Sequence, residues 1–295
     1  MRVFVTGANG FIGTAFCRLA LKQGWQVAAL VRPDTPNPQL FPHPKLTILR
    51  SSLKKLPMET LTLFKPDICL HTAWVTTPGQ YMSSPENMEH AYWSQQLIET
   101  LPKLNIQRFA MLGTCLEYRL DGSPLQAGIT PLNPNSAYTT AKLRVLDHLK
   151  SRADQLNLQW LWARVFYPYG PGEPLQKLCS SIIQRLSQDE VVDINFPHST
   201  KDFIYIDDLV DALWLLLSHE VTGEVNLGSG QPVTVGEVAE TLARYLGKPH
   251  LLKKAEPKPD PLDQVVADIA HLTRLGWSPA YNLTDGLAAM CDAIR

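Results

Sequence analysis

The sequence has no excess of charge of either sign and no long hydrophobic run. Lysine and arginine number 27 against 28 aspartate and glutamate in 295 residues, so the formal net charge is −1. Without a basic surplus, the chain offers no general electrostatic attraction for a nucleic acid or an anionic membrane. Its longest apolar runs, such as Ala212–Leu217, are far too short to span a bilayer. We therefore expect neither a nucleic-acid partner nor a membrane partner.

Cysteine and histidine lack the spacing of disulfide scaffolds and of common metal sites. The five cysteines are an odd number and widely separated, no CxxC pair occurs, and the histidines form no HExxH pair. This usage is typical of reduced thiols in a cytosolic protein. The apolar opening Val3–Val5 meets Thr6 and Gly7 at once, so no signal peptide is expected. We predict a cytoplasmic protein without a metal.

Short apolar runs alternate with amphipathic helical patterns over the first half of the chain. This alternation predicts an α/β fold with a doubly wound parallel sheet, whose ligand lies at the carboxyl ends of the strands. After Pro168 the sequence breaks at several prolines and glycines and continues with mostly helical patterns. We predict a Rossmann domain over 1–167, rejoined by later segments at about 200–230, and a smaller, mostly helical substrate-binding cap over 168–295.

The first predicted strand leads directly into a glycine-rich turn and a helix. Gly7, Gly10 and Gly13 have the spacing GxxGxxG, with Phe11 and Ile12 between the last two. Glycine is needed where the chain turns sharply and where the backbone must touch a pyrophosphate. The start of a helix offers N–H groups and the positive end of its dipole to that anion. The turn is therefore predicted to bind a dinucleotide.

Several motifs together resemble the extended short-chain dehydrogenase/reductase superfamily. The glycine spacing is one, and Tyr138 with Lys142 is another, because they form YxxxK on one face of a predicted helix. The proline-rich lead-in 131–136 is similar to that of the family. The segments 164–171 and 201–209 resemble its nucleotide-sugar branch of epimerases, dehydratases and keto-sugar reductases.

The resemblance places the adenosine ribose near the end of the second strand. Arg32 stands there in place of the acid that NAD enzymes use, and a guanidinium would pair with the 2′-phosphate of NADP. Asp34 is close enough to serve as a late acid, so NAD stays open as the alternative. The resemblance implies further cofactor contacts at later strand ends, from Ser52, Leu53, His71, Ala73 and Phe166.

The chemistry of hydride transfer accounts for the catalytic residue types. Reduction of a ketone leaves an alkoxide that needs a proton, and a phenol with a pKa near 10 is a slow partner at neutral pH. A nearby ammonium and an oxidised nicotinamide both favour phenolate, and Lys142 can also bind the nicotinamide ribose. Thr114 matches the family's Ser/Thr on the substrate oxygen. We expect Thr114, Tyr138 and Lys142 to be catalytic, the last two also touching the cofactor.

The resemblance implies a nucleotide-sugar substrate held largely by the C-terminal part. The implied substrate contacts are Trp74, Glu117, Tyr167, Lys201 and Lys258, the two lysines at the diphosphate. Glu117 could equally cap a loop, and each lysine could be a solvated surface residue. The helices near 86–101 and 137–156 resemble the family's four-helix contact, which implies a homodimer.

The two residues after Thr114 help to distinguish dehydration from the other reactions of the family. Sugar 4,6-dehydratases carry Asp-Glu there for elimination of water, whereas this chain has Cys115 and Leu116, and leucine cannot transfer a proton. Dehydration is therefore disfavoured. We expect NADPH-dependent reduction of a keto group, at C4, of a nucleoside-diphosphate-activated keto-deoxy sugar. A NAD-dependent nucleotide-sugar epimerase with retained cofactor and a non-catalytic NADP sensor stay open as alternatives.

Overall fold

The computed structural model describes residues 1–35, 40, 42–253 and 258–294. Strands and helices alternate over the first half, as the apolar pattern predicts. In chain order the elements are β1 (Arg2–Thr6), α1 (Phe11–Lys22), β2 (Gln26–Val31), β3 (Leu46–Arg50), α2 (Met58–Phe64), β4 (Ile68–His71), α3 (Glu86–Thr100), β5 (Arg108–Thr114), α4 (Ala137–Arg152), β6 (Gln159–Val165), β7 (Tyr167–Tyr169), α5 (Leu178–Ser187), β8 (Val192–Asp193), β9 (Thr200–Tyr205), α6 (Ile206–Ser218), β10 (Gly223–Leu227), β11 (Pro232–Thr234), α7 (Val235–Tyr245), β12 (Leu252–Lys253), α8 (Ala270–Arg274) and α9 (Leu283–Ile294). Short 3-10 helices span Leu101–Leu104, Cys115–Glu117 and Pro249–Leu251.

A seven-stranded sheet has the strand order β10-β6-β5-β4-β1-β2-β3. The pairs β1–β2, β2–β3, β1–β4 and β4–β5 are parallel. From β1 the chain first moves outward through β2 and β3, and then returns to the other side of β1 through β4 and β5. The predicted doubly wound sheet is confirmed. Its order reverses between β1 and β4, and ligands of open α/β sheets bind beside the carboxyl ends of the strands at such a point.

One face of this sheet packs against the helices that follow β3, β4 and β5. Phe4, Cys69 and Phe109 lie in one buried cluster with Leu97 of α3 and Leu146 of α4. Strands covered by helices on both faces are nearly continuous apolar runs, and β1, β2 and β4 are apolar except at their ends. This packing fixes the strand ends at which the candidate site lies.

The chain forms two compact units. The first comprises Met1–Glu117, Leu132–Arg164 and Leu213–Val225, and the second comprises Tyr118–Pro131, Val165–Ala212 and Asn226–Arg295. The second unit contains the helical C-terminal region together with two small sheets. Their strand orders are β11-β9-β7 and β12-β8.

No helix in the described part of the chain is long and apolar enough to cross a membrane. The five cysteines are all buried thiols that form no disulfide with one another. Within the same residues, no group of three or more His, Cys, Asp or Glu side chains is arranged to hold a metal ion.

Candidate active site

The glycine-rich turn connects β1 to α1 and packs against the residues that follow the carboxyl end of β4. Gly7 has a φ of +68°, a region that side chains rarely adopt, and a Cβ there would lie 2.6 Å from the backbone nitrogen of Ala73. A Cβ on Gly13 would lie 2.2 Å from the carbonyl oxygen of Gly7. Glycine is therefore required at both positions. Gly10 is the N-cap residue of α1 and has no side chain that could accept a hydrogen bond. The N–H groups of the first turn, around Phe11 and Ile12, therefore have no N-cap side chain to donate to.

The segments after β2 and β3 contain the residues predicted at the adenosine. Arg32 and Asp34 are both exposed just beyond β2. Ser52 is half-buried and forms an isolated bridge with Lys55, while the Leu53 side chain packs against the core cluster. The guanidinium is therefore accessible to a ligand beyond the carboxyl end of β2.

The His71 side chain at the end of β4 belongs to the core. Its Nδ1 bonds the hydroxyl of Thr6 at 2.6 Å and its Nε2 bonds the hydroxyl of Ser94 at 2.8 Å. Burial, with the charges of Lys142 and His90, lowers the pKa of His71 to about 3, so the ring is neutral. The imidazole ties β1, β4 and α3 together, which leaves only the main chain of His71 for a contact with a cofactor.

The structure brings together the three residues predicted to be catalytic. Thr114 ends β5, and α4 begins at Ala137, where Ser136 caps the helix by accepting a hydrogen bond from the backbone N–H of Thr139 at 3.1 Å. That cap places Tyr138 and Lys142 in the first two turns of α4, both buried. The Thr114 side chain lies next to the Tyr138 phenol, close enough to lower its pKa.

Aromatic side chains surround Tyr138 and Lys142. Tyr81 meets Tyr138 edge-on, with ring centroids 5.0 Å apart. Trp74, implied by the resemblance at the substrate, has its ring 4.1 Å from the Lys142 ammonium. Its indole N–H bonds the Asn87 side chain at 2.9 Å. Sequence reasoning missed Tyr81 and Asn87, which lie in a segment without a motif.

Burial acts in opposite directions on the two titrating catalytic groups. It raises the pKa of the Tyr138 phenol, Tyr81 and Glu117 raise it further, and the Thr114 side chain lowers it. Burial lowers the pKa of Lys142 to about 7, against an opposing effect of Glu117. The shift of Tyr138 toward phenolate that an oxidised nicotinamide would favour stays a prediction, and in the chain itself burial dominates the pKa of the phenol. The phenol keeps its proton, as a proton donor must.

Glu117, implied as a substrate contact, is fully buried. Its carboxylate accepts hydrogen bonds from the Thr114 backbone N–H at 3.0 Å, the Trp162 indole at 2.9 Å and the Arg164 guanidinium at 2.6 Å. These bonds occupy both carboxylate oxygens and turn them toward the interior. Glu117 supports the residue at the end of β5, in keeping with its alternative interpretation as a capping residue.

The other predicted ligand-binding residues lie in the second unit. Phe166 is buried, and its N–H bonds the Leu227 carbonyl at 3.0 Å. The Lys201 ammonium is buried in an ion pair with Asp260 at 2.9 Å and lies 5.6 Å from the Tyr167 ring. Lys201 is therefore not a solvated surface lysine, whereas Lys258 is exposed.

Comparison with known proteins extends over nearly the whole chain. The model of the NAD dependent epimerase/dehydratase family matches residues 3–228. The dTDP-4-dehydro-6-deoxyglucose reductase of Escherichia coli is 26% identical, covering 99% of this chain and 97% of the reductase. UDP-glucuronic acid decarboxylase 5 of Arabidopsis thaliana is 25% identical, covering 100% of this chain and 89% of the decarboxylase. A crystal structure of UDP-glucuronic acid 4-epimerase from Bacillus cereus, with NAD and a UDP-sugar analogue, has a TM-score of 0.86 at 22% identity, covering 100% and 99% of the chains.

Proposed function

Because the chain belongs to the NAD dependent epimerase/dehydratase family, we propose that it is an NADPH-dependent reductase of a nucleotide sugar. The group reduced is a ketone at C4 of a nucleoside-diphosphate-activated keto-deoxy sugar. The observation that carries this proposal is the buried cluster of Thr114, Tyr138 and Lys142, with no free carboxylate next to it among the described residues. A protonated phenol and a hydroxyl suit the reduction of a carbonyl group.

The chain's own residues place the proton and the positive charge. NADPH supplies the hydride when bound, and the ketone becomes an alcohol when its oxygen takes the Tyr138 proton. The Thr114 hydroxyl donates a second hydrogen bond to that oxygen, which stabilises the developing negative charge. Lys142 holds its ammonium within 5.9 Å of the Tyr138 ring centre. A positive charge there favours the phenolate that remains after proton transfer.

The residues after Thr114 favour reduction over elimination of water. Cys115 is buried, and the Leu116 side chain carries no proton to transfer. The nearby carboxylate of Glu117 is bound by Trp162 and Arg164, which keeps it from acting on a substrate. The similarity to a reductase of a 4-dehydro-6-deoxy sugar nucleotide supports the same choice.

The accessible Arg32 supports NADP rather than NAD. A guanidinium pairs with a phosphate through charge-assisted hydrogen bonds, and it stands where NAD enzymes place an acid. The pyrophosphate is assigned to the turn at Gly7–Gly13, where α1 begins. Contacts of Tyr167, Lys201 and Lys258 with the diphosphate of the sugar nucleotide stay predictions.

Incubation with NADPH and dTDP-4-keto-6-deoxyglucose tests the proposal. We expect reduced cofactor to be consumed in equal amount with the keto sugar, and Tyr138→Phe to abolish the reaction. Tyr92→Phe, at an exposed tyrosine of α3, is the matched control and should react like the wild type. Isomerisation of a sugar nucleotide by protein that retains NAD through purification would indicate an epimerase instead. Cofactor binding without turnover of any keto-sugar nucleotide would leave the NADP sensor.

A further inference from the structure

We propose that Glu117 is a positioning residue for this reduction, whose buried carboxylate fixes Thr114 and contributes negative charge to the surroundings of Tyr138 and Lys142. The inference rests on the proposed function, because it assigns Glu117 a role in the same site. Glu117 touches neither reacting atom. It acts through the backbone of Thr114 and through its charge.

The hydrogen bonds of Glu117 define its orientation. One carboxylate oxygen accepts the backbone N–H of Thr114 at 3.0 Å. The other accepts the Trp162 indole N–H at 2.9 Å and the Arg164 guanidinium at 2.6 Å. A carboxylate held by three donors on both oxygens has one geometry, and it transmits that geometry to the end of β5. The Thr114 hydroxyl, which lies next to the Tyr138 phenol, belongs to the residue so held.

Space for this arrangement depends on a glycine. A Cβ on Gly113 would lie 2.3 Å from the Trp162 indole nitrogen and 2.9 Å from a Glu117 carboxylate oxygen. Any side chain at position 113 would displace the bonds that hold Thr114. Glycine at position 113 therefore leaves the space that the Glu117 carboxylate occupies next to Thr114.

The charge of Glu117 is paired with that of Arg164, which is not one of the predicted catalytic residues. Arg164 is fully buried and also donates to the Glu224 carboxylate at 2.6 Å. Buried ion pairs of this kind are often replaced by apolar side chains of similar volume with no loss of stability. Stability alone therefore does not account for a buried carboxylate at this position.

The other titratable groups that face Lys142 and Tyr138 are neutral, so Glu117 is the acidic group that acts on both. His71 of β4 and His90 of α3 face Lys142, and burial lowers the pKa of both, which keeps them neutral at neutral pH. Tyr81 and the Cys115 thiol, which face Tyr138, are also neutral there.

The effect of Glu117 has the same sign at both groups. Its charge raises the pKa of Lys142 and of Tyr138. Both effects favour the protonated forms. A protonated phenol next to an ammonium is the state from which a proton can be donated to an alkoxide.

The test compares Glu117→Gln with Glu224→Gln, which removes the other carboxylate from the same arginine. Carbon-13 labelling at lysine Cε reports the titration of Lys142 directly, with Lys142→Arg to assign its resonance. We expect the midpoint of Lys142 to fall by about one pH unit in Glu117→Gln, since an opposite charge nearby has this effect. The midpoint should stay at its wild-type value in Glu224→Gln.

Kinetics give the second readout. We expect kcat of Glu117→Gln to fall about tenfold or more with KM little changed, because misplacing a catalytic group by a fraction of an ångström is costly. Glu117→Asp, which keeps the charge, should retain the Lys142 midpoint. Equal Lys142 midpoints and equal kcat in Glu117→Gln and Glu224→Gln would overturn the proposal. If the wild type reduces no keto sugar, the proposed function fails, and the Lys142 titration still decides on Glu117.

Loss of folding has its own control. Circular dichroism shows whether Glu117→Gln folds. If it does not, the double variant Glu117→Met/Arg164→Met removes both charges together, and it should fold and show the same lowered Lys142 midpoint. A wild-type midpoint in the double variant would contradict the proposal. Loss of the fold in both variants would also contradict it, because Glu117 would then be needed for the fold itself.

Discussion

The ammonium of Lys142 lies 4.1 Å from the centre of the Trp74 indole ring and donates a hydrogen bond to the Leu112 carbonyl at 2.7 Å. An aromatic face stabilises a desolvated cation by about 0.5–2 kcal/mol. Trp74 therefore opposes the burial that lowers the pKa of Lys142 to about 7. A tryptophan just beyond β4 supports the charge of a lysine on α4.

Replacing the aromatic face should shift the pH dependence of turnover. In Trp74→Leu, burial is retained but the ring is lost, so the neutral amine gains and the pKa of Lys142 falls. The alkaline limb of the kcat profile should move about half to one pH unit lower. Trp74→Phe keeps an aromatic face and should stay near the wild-type profile. Identical limbs in the Leu and Phe variants would show that the ring does not stabilise the ammonium.

Two glycines of the turn should respond differently to alanine. Gly13→Ala forces a Cβ to within 2.2 Å of the Gly7 carbonyl and should lower the free energy of unfolding by about 1–3 kcal/mol. Gly10→Ala meets the same oxygen only at 3.2 Å, so its melting temperature should change little while NADPH binding weakens. Thermal melts and cofactor titrations measure the two effects. Wild-type NADPH affinity in Gly10→Ala would place the pyrophosphate elsewhere.

The side chain of Arg32 should set the choice between the two nicotinamide cofactors. Arg32→Ala loses a charge-assisted contact with the 2′-phosphate, so NADPH affinity should fall about 10- to 100-fold while NADH affinity is kept. Arg2→Ala is the control for net charge. It removes an arginine from the amino end of β1, whereas Arg32 follows the carboxyl end of the parallel strand β2. An equal loss for both cofactors would refute the assignment of Arg32.

The neutral His71 ring should make the fold sensitive to acid. Its pKa is about 3 in the folded chain against 6.5 unperturbed, so below 6.5 the unfolded state binds a proton that the folded state refuses. Stability from this group is present above pH 6.5 and is lost as pH falls, by about 3 kcal/mol at pH 4. Urea unfolding of His71→Asn should show a shallower acid slope than the wild type. His250→Asn, at an exposed position, should keep the wild-type slope, and an unchanged slope in both would contradict the account.

Most of the fold, and the residues at the centre of the candidate site, could be predicted from local sequence patterns. The glycine spacing depends on one turn, and the spacing of Tyr138 and Lys142 depends on one helix, so both can be predicted from neighbouring residues. The burial of Glu117 depends on Arg164, which is distant in the sequence, and no local pattern indicates it. The strand β9 was missed for the same reason, since its polar Lys201 is buried by pairing with Asp260. The cytoplasmic location and the homodimer stay predictions.

The most direct test of the central claim is the fate of the hydride. NADPH carrying deuterium at nicotinamide C4, incubated with the protein and dTDP-4-keto-6-deoxyglucose, should transfer the label to C4 of the sugar. Mass spectrometry and NMR of the product should find one deuterium at that carbon for each NADP formed, and none with Tyr138→Phe. An isomerised sugar without label, or no transfer to any keto-sugar nucleotide, would contradict the account.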